Sequence, residues 1–169
     1  MSLAVFASGS GTNFEVIASQ IETSVLICDR WCGAIERAKR LKIAYYITKD
    51  EIEILEILKN FGINFIALAG YMRIIKKPLL DKYEGCIINI HPSLLPAFPG
   101  MNGIKDAFDY GVKITGVTVH YVDSGIDTGK IIAQVPVYIE ENDTLETLTE
   151  KIHKEEYKIY PKILKELLS

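Results

Sequence analysis

The sequence has little cysteine, a single tryptophan and no long apolar run, and these shortages exclude several classes of protein. Its 169 residues contain three cysteines, Cys28, Cys32 and Cys86. The number is odd and the spacing is not that of zinc ligands, so neither a disulfide framework nor a metal site is predicted. No apolar run approaches the roughly 18 to 20 residues that a membrane span requires, which predicts a soluble protein with no membrane partner.

An excess of positive charge is also missing. Nineteen basic residues face 22 acidic ones, a formal charge of −3, and the two signs are mixed along the chain. Nucleic-acid binding relies on clustered lysine and arginine, so a small-molecule partner is predicted and nucleic acid is not. The N-terminus lacks the basic stretch and cleavage site of a secretory signal, which predicts a cytoplasmic protein. The sequence leaves two oligomeric states open, a monomer and a homodimer.

Short apolar runs alternate with segments of helical periodicity through the first half of the chain. Strands are predicted at residues 3–7, 24–28, 44–47, 65–69 and 86–90, with helices between most of them. Runs as continuously apolar as the last two are typical of strands covered on both faces of a parallel sheet. The pattern predicts one α/β domain over residues 1–169, with a doubly wound, mostly parallel sheet.

The second half of the chain does not continue the regular alternation of strands and helices. After Pro92 a loop is predicted around Pro96, Pro99, Gly100 and Gly103, followed by a half-buried strand at residues 115–121 and a second strand at 130–138. Two capping boxes are predicted at helix starts, Thr48 with Glu51 and Asp143 with Glu146. The second box opens a long C-terminal helix, in which Pro161 predicts a break or kink.

Small residues fill the segment Ser8–Asn13, between the first strand and the first helix. Exposed backbone N–H groups at such a helix start can hold a phosphate, and a plain tight turn is the alternative. The segment lacks the third glycine of the dinucleotide fingerprint and the lysine of the P-loop. These gaps leave a monophosphate site or a structural turn as the two interpretations.

Asn89 and His91 lie at the end of an apolar strand, two residues apart and therefore on the same side of it. Ligands collect at that edge of an open α/β sheet. With Asp127, from a glycine-containing loop, they would supply an oxyanion donor, an imidazole and a carboxylate that orients the imidazole. Each alone has an ordinary structural explanation, and His120 and His153 are interpreted as packing or surface residues.

The run Asn89–Pro96, together with Asp127 followed by Thr128 and Gly129, closely resembles the signature of the folate-dependent formyltransferases. The resemblance implies a Rossmann-like formyltransferase fold and 10-formyltetrahydrofolate as formyl donor, with no metal. It also implies that Asn89, His91 and Asp127 are the catalytic residues.

The Ser8–Asn13 turn and the segment Leu68–Ile74 resemble the branch of this family that formylates the amine of glycinamide ribonucleotide in de novo purine (IMP) biosynthesis. For the ribonucleotide this implies contacts with Gly11, Thr12, Asn13, His153 and Glu156. For the folate it implies contacts with Met72, Arg73, Ile74, Ile75, Asn89, Asp123, Ser124, Gly125, Ile126 and Asp127. The chain departs from the family pattern at His153, where an amide side chain is expected, at Lys130, and at Met101–Gly103.

Two other functions remain open on the sequence. A hydrolase of the same family would release formate from the formyl folate, and a non-catalytic module would bind the nucleotide without turnover. A third relative, the enzyme that formylates aminoacyl-tRNA, is disfavoured because the chain lacks a basic surface.

Overall fold

The computed structural model describes residues 1–169, and seven strands in one sheet form its centre. The elements in chain order are β1 (Leu3–Ala7), α1 (Thr12–Ala18), β2 (Thr23–Cys28), α2 (Gly33–Leu41), β3 (Ala44–Ile47), α3 (Glu51–Asn60), β4 (Phe65–Leu68), α4 (Lys77–Lys82), β5 (Ile87–His91), α5 (Gly103–Tyr110), β6 (Ile114–Tyr121), β7 (Ile131–Tyr138) and α6 (Leu145–Leu168). The sheet order is β3-β2-β1-β4-β5-β6-β7. Strands β1 to β5 are parallel and the last two pairings are antiparallel, which confirms the predicted α/β fold and its mostly parallel sheet.

Apolar side chains cover the sheet on both faces. Along β1, Leu3, Val5 and Ala7 belong to one core cluster, whereas Ala4 and Phe6 belong to another. The first cluster packs under α1, α2 and α6, and the second under α3 and α4. Successive side chains of a strand point to opposite faces, so a strand buried on both faces is apolar at every position.

The sheet reverses its winding between β1 and β4, which are neighbours although two strands separate them in the chain. At such a switch point the loops after the two strands diverge and leave a crevice. The loop after β1 is the Ser8–Gly11 turn, and the loop after β4 leads into the segment 69–75. The fold therefore brings the two predicted binding segments to one crevice.

The second half of the chain differs from the prediction in several places. Strand β6 is buried on both faces from Thr115 to His120, not half-buried, because α6 covers one face and the polypeptide after β5 covers the other. The predicted loop ends at Gly103, where the helix α5, which was not predicted, begins. Its apolar positions Ile104, Ala107 and Phe108 have helical spacing, and Gly111 ends it with a φ of 89°.

Neither capping box forms at the predicted residues. Asp50, not Thr48, caps α3 by accepting from the Ile52 backbone N–H. Thr144 and Thr147 form the box at the start of α6, and Asp143 instead binds Lys151. Helix α6 runs without a break through Pro161. No helix combines the length and apolar character needed to cross a membrane.

Tyr160 of α6 ties the helix to the sheet from a fully buried position. Its hydroxyl donates to the Leu68 carbonyl at 2.7 Å and lies 3.3 Å from the Ile88 carbonyl. Tyr160→Phe keeps the ring and loses this bond, so we expect the free energy of unfolding to fall by about 1–2 kcal/mol in urea denaturation. Tyr138→Phe is the matched control, since Tyr138 is 61% exposed. Equal stability of the two variants would show that the buried bond contributes nothing.

Candidate active site

A cavity of about 560 Å³ occupies the crevice at the switch point. It is lined by residues of the turn Ser8–Gly11 after β1, here called the glycine turn, and by the segment 68–75 after β4. Polar residues of β5 and β6, the loop between β6 and β7, and two residues of α6 also line it. A second hollow of about 540 Å³ lies beside α3 and α4, but it contains no histidine, and half of its ten lining residues are hydrophobic. All three histidines of the chain line the first cavity.

Asp127 lies between two histidines at the floor of this cavity. Its Oδ2 is 3.4 Å from Nδ1 of His91, and its Oδ1 is 3.8 Å from Nε2 of His120. The Asn89 amide nitrogen lies 3.4 Å from the same His120 Nε2. The side chains of His91, His120 and Asp127 are 5%, 3% and 13% exposed, respectively. Because charges interact strongly where water is scarce, this cluster can stabilise a charge that develops beside it.

Hydrogen bonds to backbone carbonyls determine which ring nitrogen of each histidine carries a proton. His91 Nε2 lies 2.8 Å from the Phe98 carbonyl and must donate to it, so Nδ1 is the atom that faces Asp127. His120 Nδ1 lies 2.8 Å from the Tyr121 carbonyl and donates there. Burial lowers the pKa of His120, which favours the neutral ring. Its Nε2 is then an acceptor, and the Asn89 amide N–H donates to it.

His120 was interpreted as a packing or surface residue, and the structure shows it buried beside the candidate site. It pairs with Asn89 across the antiparallel β5–β6 ladder and lines the cavity. In a strand, residues two apart share a face, so His120 lies on the same face of β6 as Thr118. The register that places it opposite Asn89 is a tertiary property, and no pattern within β6 reveals it.

The loop between β6 and β7 holds Asp127 in place. Asp127 has a φ of 53°, a left-handed conformation that aspartate tolerates better than most residues. Its Oδ2 accepts the Gly100 backbone N–H at 2.8 Å, which links it to the loop that follows β5. Within the β6–β7 loop, the Asp123 carboxylate accepts a hydrogen bond from the Thr128 hydroxyl, and this hydrogen bond lowers the pKa of Asp123. Asp127 is therefore fixed by two loops, unlike an ordinary turn aspartate.

The glycine turn is shaped by close contact with α2. Gly11 has a φ of 79°, and a Cβ there would lie 2.5 Å from the Ala34 Cα, so only glycine fits. Arg37 of α2 donates from Nε to the Ser10 carbonyl at 2.7 Å. Asn13, in the first turn of α1, donates its side-chain N–H to Glu156 Oε2 at 3.0 Å, which connects the start of α1 to α6. These contacts leave the start of α1 open to the cavity.

Ser8 joins the glycine turn to the segment after β4. Its Oγ accepts the Met72 backbone N–H at 2.9 Å, and its own N–H donates to the Gly70 carbonyl at 3.1 Å. Met72 and Ile74 are 49% and 61% exposed, so apolar surface is presented at the mouth of the cavity. Such a wall is suited to a flat aromatic ligand.

With one exception, every residue predicted for catalysis or binding lines this cavity. The exception is Ser124, which lies in the β6–β7 loop outside the lining set. Residues that line the cavity without having been predicted include His120, Tyr71, Val122, Thr128 and Gly129. A Cβ at Gly129 would lie 1.7 Å from the Tyr121 carbonyl, so this loop also requires a glycine.

Glu156 is a buried carboxyl group whose one hydrogen bond is the one from Asn13. Burial raises its pKa from the usual 4.5 to about 7. Between these two values the unfolded chain ionises while the folded protein keeps the proton, so the free energy of unfolding falls as pH rises through this range and levels off above about 7.

Glu156→Gln removes this pH dependence. Relative to the wild type, we expect the variant to gain up to about 3 kcal/mol of stability between about pH 5 and about pH 8. Urea denaturation at both pH values measures the difference, and Glu150→Gln, on an exposed position of the same helix, is the control. A difference between variant and wild type that stays constant with pH would contradict the raised pKa.

Comparisons with known proteins agree with this geometry. The protein family described as formyl transferase matches residues 36–164. Phosphoribosylglycinamide formyltransferase of Bacillus subtilis (strain 168) is 48% identical over 98% of this chain and 93% of its own length.

Two solved structures show the same fold at full length. The phosphoribosylglycinamide formyltransferase of Streptococcus pneumoniae TIGR4 superposes with a TM-score of 0.97 at 43% identity, covering 99% of both chains. Glycinamide ribonucleotide transformylase 1 of Geobacillus kaustophilus has a TM-score of 0.96 at 48% identity, covering 99% of this chain and 98% of its own. The resemblance carried by Asn89–Pro96 is confirmed, and the chain belongs to the formyl transferase family.

Proposed function

We propose that this enzyme transfers the formyl group of 10-formyltetrahydrofolate to the amine of glycinamide ribonucleotide, a step of de novo purine biosynthesis, within a single domain of 169 residues. The observation that carries the proposal is the convergence of Asn89, His91 and Asp127 on a cavity that also reaches the glycine turn. The names of the similar proteins support the same reaction.

The cavity presents two different chemical surroundings, the glycine turn at one part and exposed apolar side chains at another. The ribonucleotide phosphate would lie on the N–H groups of Gly11, Thr12 and Asn13, with His153 and Glu156 beside its glycinamide and ribose end. The folate would lie between Met72–Ile75 and Asp123–Asp127, where the exposed apolar side chains of Met72, Ile74 and Ile126 can cover its ring. The formyl group then lies between the two sites, next to Asn89.

The reaction needs no enzyme nucleophile. The substrate amine attacks the formyl carbon, and the carbonyl oxygen of the resulting tetrahedral intermediate becomes negative. Asn89 donates to this oxygen, with its amide oriented by His120. His91, held by the Phe98 carbonyl and by Asp127, adds positive electrostatic potential. When the bond to folate N10 breaks, the proton lost by the amine is balanced by the one that N10 gains, and Asp127 and water are the groups placed to relay it.

An absorbance assay for the deformylated folate tests this function. Purified protein is incubated with 10-formyltetrahydrofolate, with and without glycinamide ribonucleotide, beside an Asp127→Asn control. We expect folate turnover that requires the ribonucleotide and is lost in the control. Turnover without ribonucleotide would establish a hydrolase instead. Ribonucleotide binding with no turnover would establish a non-catalytic module.

A further inference from the structure

Cys28 and Cys32 lie side by side next to the glycine turn, and the proposed reaction uses neither. Their Sγ atoms are 3.5 Å apart, and both thiols are free. Cys28 is the buried last residue of β2, and Cys32 is the half-buried N-cap of α2. No group of three or more metal-ligating side chains occurs in the protein, so metal binding does not explain the pair.

We propose that Cys28 and Cys32 form a thiol–disulfide exchange site, at which a low-molecular-weight disulfide converts them into an intramolecular disulfide that weakens ribonucleotide binding. The effect on binding rests on the proposed function; the exchange itself does not. A disulfide holds its sulfur atoms about 2.05 Å apart. Starting from 3.5 Å, closure requires an approach of about 1.5 Å. The link between the cysteines contains the buried Asp29 and the exposed residues Arg30 and Trp31.

The exchange proceeds in two balanced steps. The thiolate of Cys32, the more accessible sulfur, attacks one sulfur of the small disulfide, forming a mixed disulfide and releasing one small thiolate. Cys28 then attacks Sγ of Cys32, its proton passes to the departing sulfur, and a second small thiol leaves. Both cysteines are oxidised and the small disulfide is reduced to two thiols. Burial raises the pKa of Cys28, which is why the first attack is assigned to Cys32.

The start of α2 transmits this closure to the glycine turn. Cys32 is followed by Gly33 and Ala34, which pack directly on the turn. A Cβ at Gly33 would lie 3.0 Å from the Ser10 backbone, and the Ala34 N–H donates to the Gly9 carbonyl at 3.0 Å. No free space separates α2 from the turn. A shift of Cys32 toward Cys28 therefore displaces the backbone N–H groups assigned to the phosphate.

Mass spectrometry tests the exchange. Reduced protein is treated with oxidised glutathione, and the remaining thiols are alkylated before the intact mass is measured. We expect the protein to have lost two hydrogens and only one thiol, Cys86, to be alkylated. The reduced protein has three thiols available for alkylation. Three alkylated thiols, or a glutathione adduct that persists, would overturn the proposal. Cys32→Ser, which places a residue type favoured at N-caps at the start of α2, must form no intramolecular disulfide, whereas Cys86→Ser must still form it.

Calorimetric titration with glycinamide ribonucleotide tests the effect on binding. We expect oxidation to weaken binding about tenfold or more, since misplacing a contact by about 1 Å is costly. A reductant must restore the affinity, and the oxidant must leave Cys32→Ser unchanged. A disulfide with undiminished affinity would overturn the coupling. If the reduced protein binds no ribonucleotide, the proposed function and the coupling both fail, while the mass measurement still decides the exchange.

Discussion

Asp127→Asn is expected to lower kcat/KM by about 10⁴-fold, the loss typical of this change beside a catalytic imidazole. The substitution keeps the size of the side chain and one acceptor oxygen. It removes the negative charge that lies 3.4 Å from His91 and 3.8 Å from His120. Oδ2 accepts the Gly100 N–H and faces Nδ1 of His91, so an amide NH₂ in that place would oppose the Gly100 donor, and the amide must keep its oxygen there and turn its NH₂ toward His120. Steady-state kinetics with both substrates varied measures the loss.

The matched control is Asp81→Asn, an aspartate on α4 whose side chain is 63% exposed and pairs with Lys77 on the surface. Its kinetics should equal those of the wild type, because exposed ion pairs contribute little. Thermal unfolding of both variants separates a catalytic loss from a folding defect. A folded Asp127→Asn enzyme with activity within tenfold of the wild type would remove Asp127 from the reaction.

Asn89→Ala is expected to lower kcat by about 10²- to 10³-fold, the cost of losing one positioned oxyanion donor. The amide is held by His120 from within the sheet, so a neighbouring side chain cannot easily replace it. KM for the ribonucleotide should change little, since its phosphate is assigned to the glycine turn on the other side of the cavity. Substrate-saturation curves for each substrate give the two parameters separately.

Asn142→Ala, on an exposed position before α6, is the control for this substitution. It removes the same amide from a site with no catalytic assignment and should leave kcat unchanged. A decrease of only a few-fold in Asn89→Ala would assign the oxyanion to another donor, with His91 as the remaining choice.

The parallel half of the fold was predictable because its signals are local. Apolar runs such as Phe65–Leu68 mark strands buried on both faces, and a short turn followed by helical periodicity marks each crossover. The second half was harder for a physical reason. Strand β6 alternates like a strand with one solvated face, yet α6 and the loop after β5 cover both of its faces. Burial there depends on which elements meet, and a single segment does not encode that.

The site was predictable only as far as its family signature extends. That signature contains Asn89, His91 and Asp127, and the structure brings all three to one cavity. His120 has no signature of its own, and its place opposite Asn89 follows from antiparallel register. The contact between Cys28 and Cys32 likewise depends on how the end of β2 meets the start of α2. The spacing of the cysteines alone did not suggest it.

Following a labelled formyl group tests the central claim most directly. 10-Formyltetrahydrofolate carrying ¹³C in its formyl group is incubated with the enzyme and glycinamide ribonucleotide. The products are separated, and the label in each is measured by mass spectrometry. Direct transfer predicts that the label appears in the N-formyl ribonucleotide, in an amount equal to the folate deformylated, with none in free formate. Label recovered as formate, with the ribonucleotide unlabelled, would contradict the account.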